Sequence, residues 1–227
     1  MNPRSTAPRA HPALLRLAAS VLLVACTLAA TTACAPLIVG GAVIGSGLVA
    51  ADRRTTGAQV EDQAIELKAA SRVRELATLG NVNVTSYNRL LLVTGEVPGE
   101  TEKAAVGAAL ARIENLRSVV NELGIGQNSS FGSRSTDALI QAKVKAALLD
   151  AKDLHANAYK VVSERGIVYL MGRVTEREAG RGAEVARVVG GVQKVVRVFE
   201  ILSEEELAAL GKSAPAQPAP PAPAPAR

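Results

Sequence analysis

The chain repeats itself. The stretch NVNVTSYNRLLLVTGEV (Asn81–Val97) returns in altered form as AYKVVSERGIVYLMGRV (Ala158–Val174). Gly95 falls on Gly172, Val97 on Val174 and Ser86 on Ser163, and further on RSVVNEL (Arg117–Leu123) falls beside QKVVRVF (Gln193–Phe199). A repeat constrains the fold more than any composition figure, because each copy must solve the same packing problem. Two copies of about 65 residues are too few and too long for a solenoid, so the chain holds two small related domains.

Each copy carries the same coarse pattern. An amphipathic helix comes first, with Ile65, Ala69, Val73 and Leu76 on one face in the first copy and Ile140, Val144, Ala147 and Leu148 in the second. Two strands follow: Val82 and Val84, then Leu90–Val93, against Val161, then Ile167–Leu170. Gly166 suits a hairpin turn, and Asn88 takes that place in the first copy. A second helix opens with acids, Glu100 and Glu102 or Glu176 and Glu178, which suit the positive end of its dipole. Its buried stripe is Val106, Leu110 and Ile113, matched by Val185, Val188 and Val192. A last strand closes the unit. The order α-β-β-α-β implies an α+β fold, with two helices on one face of a three-stranded sheet in each unit.

On these residues the chain resembles a known family. GIVYLMGRVTEREAGRGAEVARVVGGVQKVV (Gly166–Val196) is similar to a BON domain, through the turn glycine, the alternating strand, Gly172, the second helix and Gly191-Val192. VNVTSYNRLLLVTGEVPGETEKAAVGAALARIENLRSVVNEL (Val82–Leu123) is similar to a second copy. It departs in having Asn88-Arg89 at the turn and Asn115-Leu116 in place of Gly-Val.

The N-terminus reads as an export signal. Arg4, Arg9 and Arg16 precede an apolar stretch, Leu17–Ala30, which ends in small residues. That stretch is short and rich in Ala and Thr for a spanning helix, which needs about 20 strongly apolar residues. The two cysteines, Cys26 and Cys34, both lie at the end of the signal, so the rest of the chain offers no disulfide framework and no thiolate metal site. The region resembles a lipoprotein lipobox, which implies cleavage before a cysteine that is then acylated. Cys26, after LVA, fits the usual aliphatic pattern. Cys34, after TTA, leaves a longer apolar core and is followed at once by the Gly-rich run of residues 36–51. In the dual BON-domain outer-membrane lipoproteins that run follows the lipidated cysteine, so the resemblance favours Cys34, with Cys26 the alternative. Ala35 is not the aspartate that, by resemblance, would retain a lipoprotein at the inner membrane. The expected organisation is a signal over 1–33, a lipidated tether over 34–57, BON domain 1 over 58–125 and a Gly/Ser-rich linker over 126–134. BON domain 2 follows over 135–203, its first helix capped by Ser135 or Asp137, and then a Pro/Ala-rich disordered tail over 204–227.

Catalytic patterns are missing from the sequence. His155 stands between a helix and a strand without another histidine or a cysteine near it in sequence, and no HExxH, nucleophile elbow or calcium loop occurs. TEREAGRGAE (Thr175–Glu184) reads as a capped, solvated helix face. We therefore expect no enzyme and no cofactor or metal. Aromatics are 2% of the chain and Trp is absent, which leaves little to stack on nucleic-acid bases. Without the signal, 23 bases face 21 acids, so the basicity is no argument for nucleic acid either.

The two copies differ in charge. Residues 58–125 hold 7 bases and 9 acids; residues 135–203 hold 11 and 8. Near an anionic leaflet each Lys or Arg contributes about 1 kcal/mol, so the second copy suits that surface better. Leu139 and Lys143 are neighbours at the edge of its first helix, one suited to insertion and the other to a phosphate, and Arg173, Arg177 and Arg181 form a further basic group. The resemblance implies the same partner: anionic phospholipid bound through the second BON domain at the periplasmic face of the outer membrane. It also implies support of envelope integrity and of outer-membrane protein assembly. Two other readings stay open, a chaperone-like binder of unfolded envelope proteins and a structural docking module of an envelope assembly.

Overall fold

A computed structural model describes residues 52–76 and 80–212. The signal, both cysteines, the tether up to residue 51 and the chain beyond 212 lie outside the described residues. The first unit runs α1 (Thr56–Glu75), β1 (Asn81–Tyr87), β2 (Leu90–Val97), α2 (Glu100–Leu110), β3 (Ser118–Asn121) and a two-residue β4 (Gly124–Ile125). The second runs α3 (Phe131–Asp150), a 3-10 turn at Ala156–Ala158, β5 (Tyr159–Glu164), β6 (Ile167–Val174), α4 (Glu176–Arg187) and β7 (Lys194–Ile201), and α5 (Glu204–Lys212) follows it. Both units have the expected α-β-β-α-β order. In each, the first two strands form an antiparallel hairpin and the third pairs parallel with the second, so β2 and β6 are central.

The central strands are buried on both faces. Leu91 and Val93 of β2 point at α1 and α2, where they meet Ile65, Ala69, Val106 and Leu110. Val168 and Leu170 of β6 meet Ile140, Val144, Leu148 and Ala186 in the same way. The alternate residues, Leu92 of β2 with Tyr169 and Met171 of β6, join Tyr87 and Val198 in a third cluster between the two sheets. Fully burying one such side chain contributes about 1.5–3 kcal/mol, so the two units are held together by far more than their linker.

Each hairpin is pinned by a carboxylate from the unit's first helix. The turns have two residues, all with positive φ: Asn88 (49°) and Arg89 (65°), Arg165 (53°) and Gly166 (71°). This is the conformation that a tight hairpin demands, and it costs about 1–2 kcal/mol for a side chain such as arginine. Asp62 accepts from the Asn88 and Arg89 amides and from Ser86 Oγ, each at 2.7 Å. Asp137 accepts from the Arg165 and Gly166 amides at 2.8 Å and from Ser163 Oγ at 3.0 Å. The repeated serine seen in the sequence is thus one half of a buried clasp. The other departure from the BON pattern has an equally local answer: Asn115 takes the positive φ (65°) that Gly191 takes (103°) in the second unit.

Four expectations are corrected. Asp137 and Ser135 do not cap α3: the helix starts earlier, with Ser130 Oγ accepting from the Ser133 amide at 3.1 Å, because Asp137 is committed to the hairpin. The linker is partly ordered, since its residues 131–134 open α3 and Ser129 donates through both its hydroxyl and its amide to buried Glu96. Residues 204–212, assigned to the tail, form α5, which Ser203 opens by accepting from the Glu206 amide at 3.1 Å. Val188 is 84% exposed and not part of the buried stripe. It caps α4 after the last helical residue, and Val189 packs on the core in its place.

Burial pushes the Asp62 carboxyl up, but its bonds from Ser86, Arg89, Arg54 and Asn88 outweigh that and hold it below the usual aspartate range. A group depressed in the folded state contributes stability that is complete above its unfolded pKa of about 3.9 and fades as pH falls through the folded value. Asp62→Asn is therefore expected to cost about 2–3 kcal/mol near neutral pH and to flatten the acid limb of the stability curve. Urea denaturation across the acid range checks this. An unchanged midpoint at neutral pH would show that the clasp is dispensable.

Candidate membrane interface

Helix α3 turns two faces to different surroundings. Its inner stripe, Asp137, Ile140, Val144 and Leu148, is buried. Opposite lie Phe131, Leu139 and Leu149, which are 81%, 62% and 66% exposed, with Ala138, Ala142 and Ala146 exposed between them. By helical spacing Phe131, Ala138, Ala142 and Leu149 form one line, with Leu139 beside it. The exposed charges short of the last residue are Arg134, Lys143 and Lys145, all basic. Asp137 is turned inward to its hairpin and Asp150 ends the helix. An apolar stripe bordered along its length by cations, with an exposed acid only at the last residue, is the pattern of a helix that lies on an anionic surface.

The five residues expected to meet phospholipid separate into three places. Leu139 and Lys143 are exposed on α3. Arg177 and Arg181 are exposed on α4, and Arg181 is engaged by Asp153 at 2.9 Å and Glu184 at 3.5 Å. Its contact holds the Asp153 carboxyl below its ordinary value. Arg173 sits at the junction of the units, bonded to Glu200 at 3.3 Å and, through Nη1, to the Arg53 carbonyl at 2.9 Å. The sequence reading missed Phe131, whose signal was a lone aromatic in a polar run, SSFGS. His155 is exposed in the loop before the 3-10 turn.

The arm that leads into this body is fixed to both units. Arg53 makes a two-pronged ion pair with buried Glu178 of α4, at 2.6 and 2.8 Å, and donates to the Arg173 carbonyl at 2.9 Å. Glu178 also closes the capping box of α4 with Thr175, and the Arg53 contact holds its carboxyl below the usual range. Arg54 binds Asp62 at 2.7 Å and lies 4.3 Å from the centre of the Tyr87 ring. Residues 52–54, assigned to the tether, therefore belong to the folded body.

The BON-domain family model matches residues 61–127 and 136–203, which are the two units just described. The chain belongs to the dual BON-domain outer-membrane lipoprotein family. It is 38% identical over 168 residues to the outer membrane lipoprotein DolP of Haemophilus influenzae, covering 71% of this chain and 87% of that one. It is also 33% identical to a 21 kDa hemolysin of Actinobacillus pleuropneumoniae, over 65% of this chain and 78% of that one. Likeness to a solved structure is slight: CdsD, a structural protein of the type III secretion system of Chlamydia trachomatis, matches 70% of this chain and 99% of that chain at 12% identity, with a TM-score of 0.27. Among the described residues no helix is long and apolar enough to cross a membrane, and no group of three or more His, Cys, Asp or Glu could hold a metal ion.

In BON terms the arm ties domain 1 to domain 2 ahead of α1. Arg53→Ala would leave the Glu178 carboxylate buried without its partner, a change that costs about 3–5 kcal/mol for a buried pair. Trypsin is then expected to cut after Arg54 well before it attacks the rest of the body, whereas the parent is protected there. Equal digestion of the two proteins would mean that the arm is not docked in solution.

Proposed function

We propose that this chain is a non-enzymatic, lipid-anchored protein of the outer membrane, facing the periplasm, whose second BON domain binds anionic phospholipid through the outer face of α3. The observation that carries this reading is the line Phe131, Ala138, Ala142 and Leu149, with Leu139 beside it and Arg134, Lys143 and Lys145 as the exposed charges short of the terminal Asp150. Exposed apolar side chains of that size each gain about 1.5–3 kcal/mol on leaving water, and each nearby cation adds about 1 kcal/mol at an anionic leaflet. Lys143 stands one turn from Leu139 on α3, and Arg177 is a second source of positive charge on α4.

Cys34 is the proposed acylation site, with Cys26 the alternative, and the similarity to an outer membrane lipoprotein supports this assignment. Mass spectrometry of the mature protein is expected to find an acylated N-terminal cysteine at 34. An unmodified thiol there would overturn the anchor. Through this anchorage the protein would support envelope integrity and the assembly of outer-membrane proteins, as its family suggests.

Flotation of the full chain with phosphatidylglycerol or phosphatidylcholine vesicles tests the lipid contact. A stronger association with phosphatidylglycerol is expected, weakening as salt screens it. Lys143→Glu removes one attraction and adds one repulsion, together about 2 kcal/mol, or about 30-fold in partitioning. Equal binding to both vesicle types would reject the reading. Suppressed aggregation of an unfolded client without lipid would favour the chaperone-like alternative.

A further inference from the structure

Val188 is more exposed than any other large apolar side chain among the described residues, at 84%. It is not on a floppy loop. The Val189 amide donates to the Ala186 carbonyl at 3.3 Å, and the Val192 amide to the Val189 carbonyl at 3.1 Å. Val189 and Val192 pack on the core on either side of Gly190-Gly191. Gly191 has φ 103°, and a Cβ there would lie 2.9 Å from Ile140 Cγ1, so the turn rests directly on α3. Lys143 stands one turn from both Ile140 (i, i+3) and Leu139 (i, i+4), at the edge between the buried stripe and the exposed face of the helix. The α4–β7 turn therefore borders the Lys143 edge of α3, with Leu139 one turn beyond on the exposed face.

The charges around that surface have one sign to spare. Arg187 precedes Val188 and Lys194 opens β7. Both are exposed, and neither forms an ion pair among the described residues; the same is true of Lys143. The acid nearest in sequence, Glu184, already pairs with Arg181 at 3.5 Å. Partial negative charge at the end of α4 would repel phosphates, and Arg187 in its last turn opposes that.

We propose that Val188–Gly191 is a second membrane-inserting element, seated beside Leu139 and Lys143 and committed to the same anionic leaflet. This rests on the reading of α3 above and adds to it. A single helix lying on a bilayer can roll about its own axis. A second apolar point beside it stops the roll and sets how the second domain stands on the surface.

The chain contains no Trp, so one introduced Trp reports its surroundings without background. Val188→Trp, Leu139→Trp and, on exposed α1 of the first domain, Leu67→Trp are made in the full chain and mixed with phosphatidylglycerol or phosphatidylcholine vesicles. The expected result is a blue shift and loss of iodide quenching for the probes at 188 and 139 with phosphatidylglycerol alone, and no change for the probe at 67. A shift at 139 without one at 188 overturns the second element and leaves the α3 reading standing. No shift at either overturns both. An equal shift at 188 with phosphatidylcholine overturns the commitment to an anionic surface. Val188→Glu is expected to weaken phosphatidylglycerol binding about tenfold with an unchanged melting temperature, because the side chain it replaces packs on little. Unaltered binding by this variant would also sink the proposal.

Discussion

The two sheets face each other, and most of the structure follows from that contact. Leu92 on one side and Tyr169 and Met171 on the other are almost wholly buried between the central strands. Polar groups at the rim must then be satisfied locally, because an unpaired buried group costs about 1–3 kcal/mol and a buried charge more. Glu96, at the end of β2, takes Ser129 from the linker and Arg165 from the opposite hairpin. Glu200, at the end of β7, takes Arg117, Arg173 and Asn88. Gly172 lets β6 approach β5, since a Cβ there would stand 2.3 Å from the Ala158 carbonyl oxygen. A sequence that separated the sheets would expose all of these at once.

The rim also explains where free charge is found. Arginines near the junction are consumed in pairs: Arg53 with Glu178, Arg54 with Asp52 and Asp62, Arg117 and Arg173 with Glu200. Glu164 is the exception among the carboxylates. Burial pushes it up, Asn83 pulls it down, and the nearby charges of Glu96 and Asp137 push it up again. The excess of positive charge that the second copy shows in its composition is thus not spread evenly over its surface. Cations that form no ion pair among the described residues include Lys143 and Lys145 on α3 and Arg187 and Lys194 around the α4–β7 turn. The positive charge available to a membrane is therefore set by which cations lack a partner, and not by net charge.

Periodicity revealed the units and their order because a helix stripe and a strand pattern are local properties. The hairpin serines, Gly95 and Gly172 were visible as repeated residues, although their tasks were not. The unbroken apolar runs Leu90–Val93 and Ile167–Leu170 held more than was read from them: a strand without alternation is covered on both faces. The sequence misled where a helix ends and where its partners lie far away. Val188 keeps helical spacing with Val185 and Val192, yet α4 stops at Arg187, and one residue past the end the side chain faces solvent. Asp137 has the chemistry of a cap but serves a hairpin 28 residues away. Arg173 joined a basic cluster on spacing alone, while its partners, Glu200 and Arg53, come from other parts of the chain.

A docked arm changes what the anchor has to accomplish. If Cys34 carries acyl chains, the segment between it and Asp52 reaches at most about 65 Å even when fully extended. Confinement within such a radius of the leaflet corresponds to a local concentration of order millimolar. A surface that binds lipid with a millimolar Kd, about 4 kcal/mol, is then half engaged without further help. One or two inserted apolar side chains and a pair of cations reach that figure on the magnitudes above. Because Arg53 and Arg54 are fixed to both domains, an acylated tether would pull on one body and not on domain 1 alone, so confinement would act on α3 as directly as on α1. With such an anchor a weak interface on the second domain would be sufficient, and weak contacts of this kind would release and re-form quickly enough for the pair to move across the leaflet while it stayed attached.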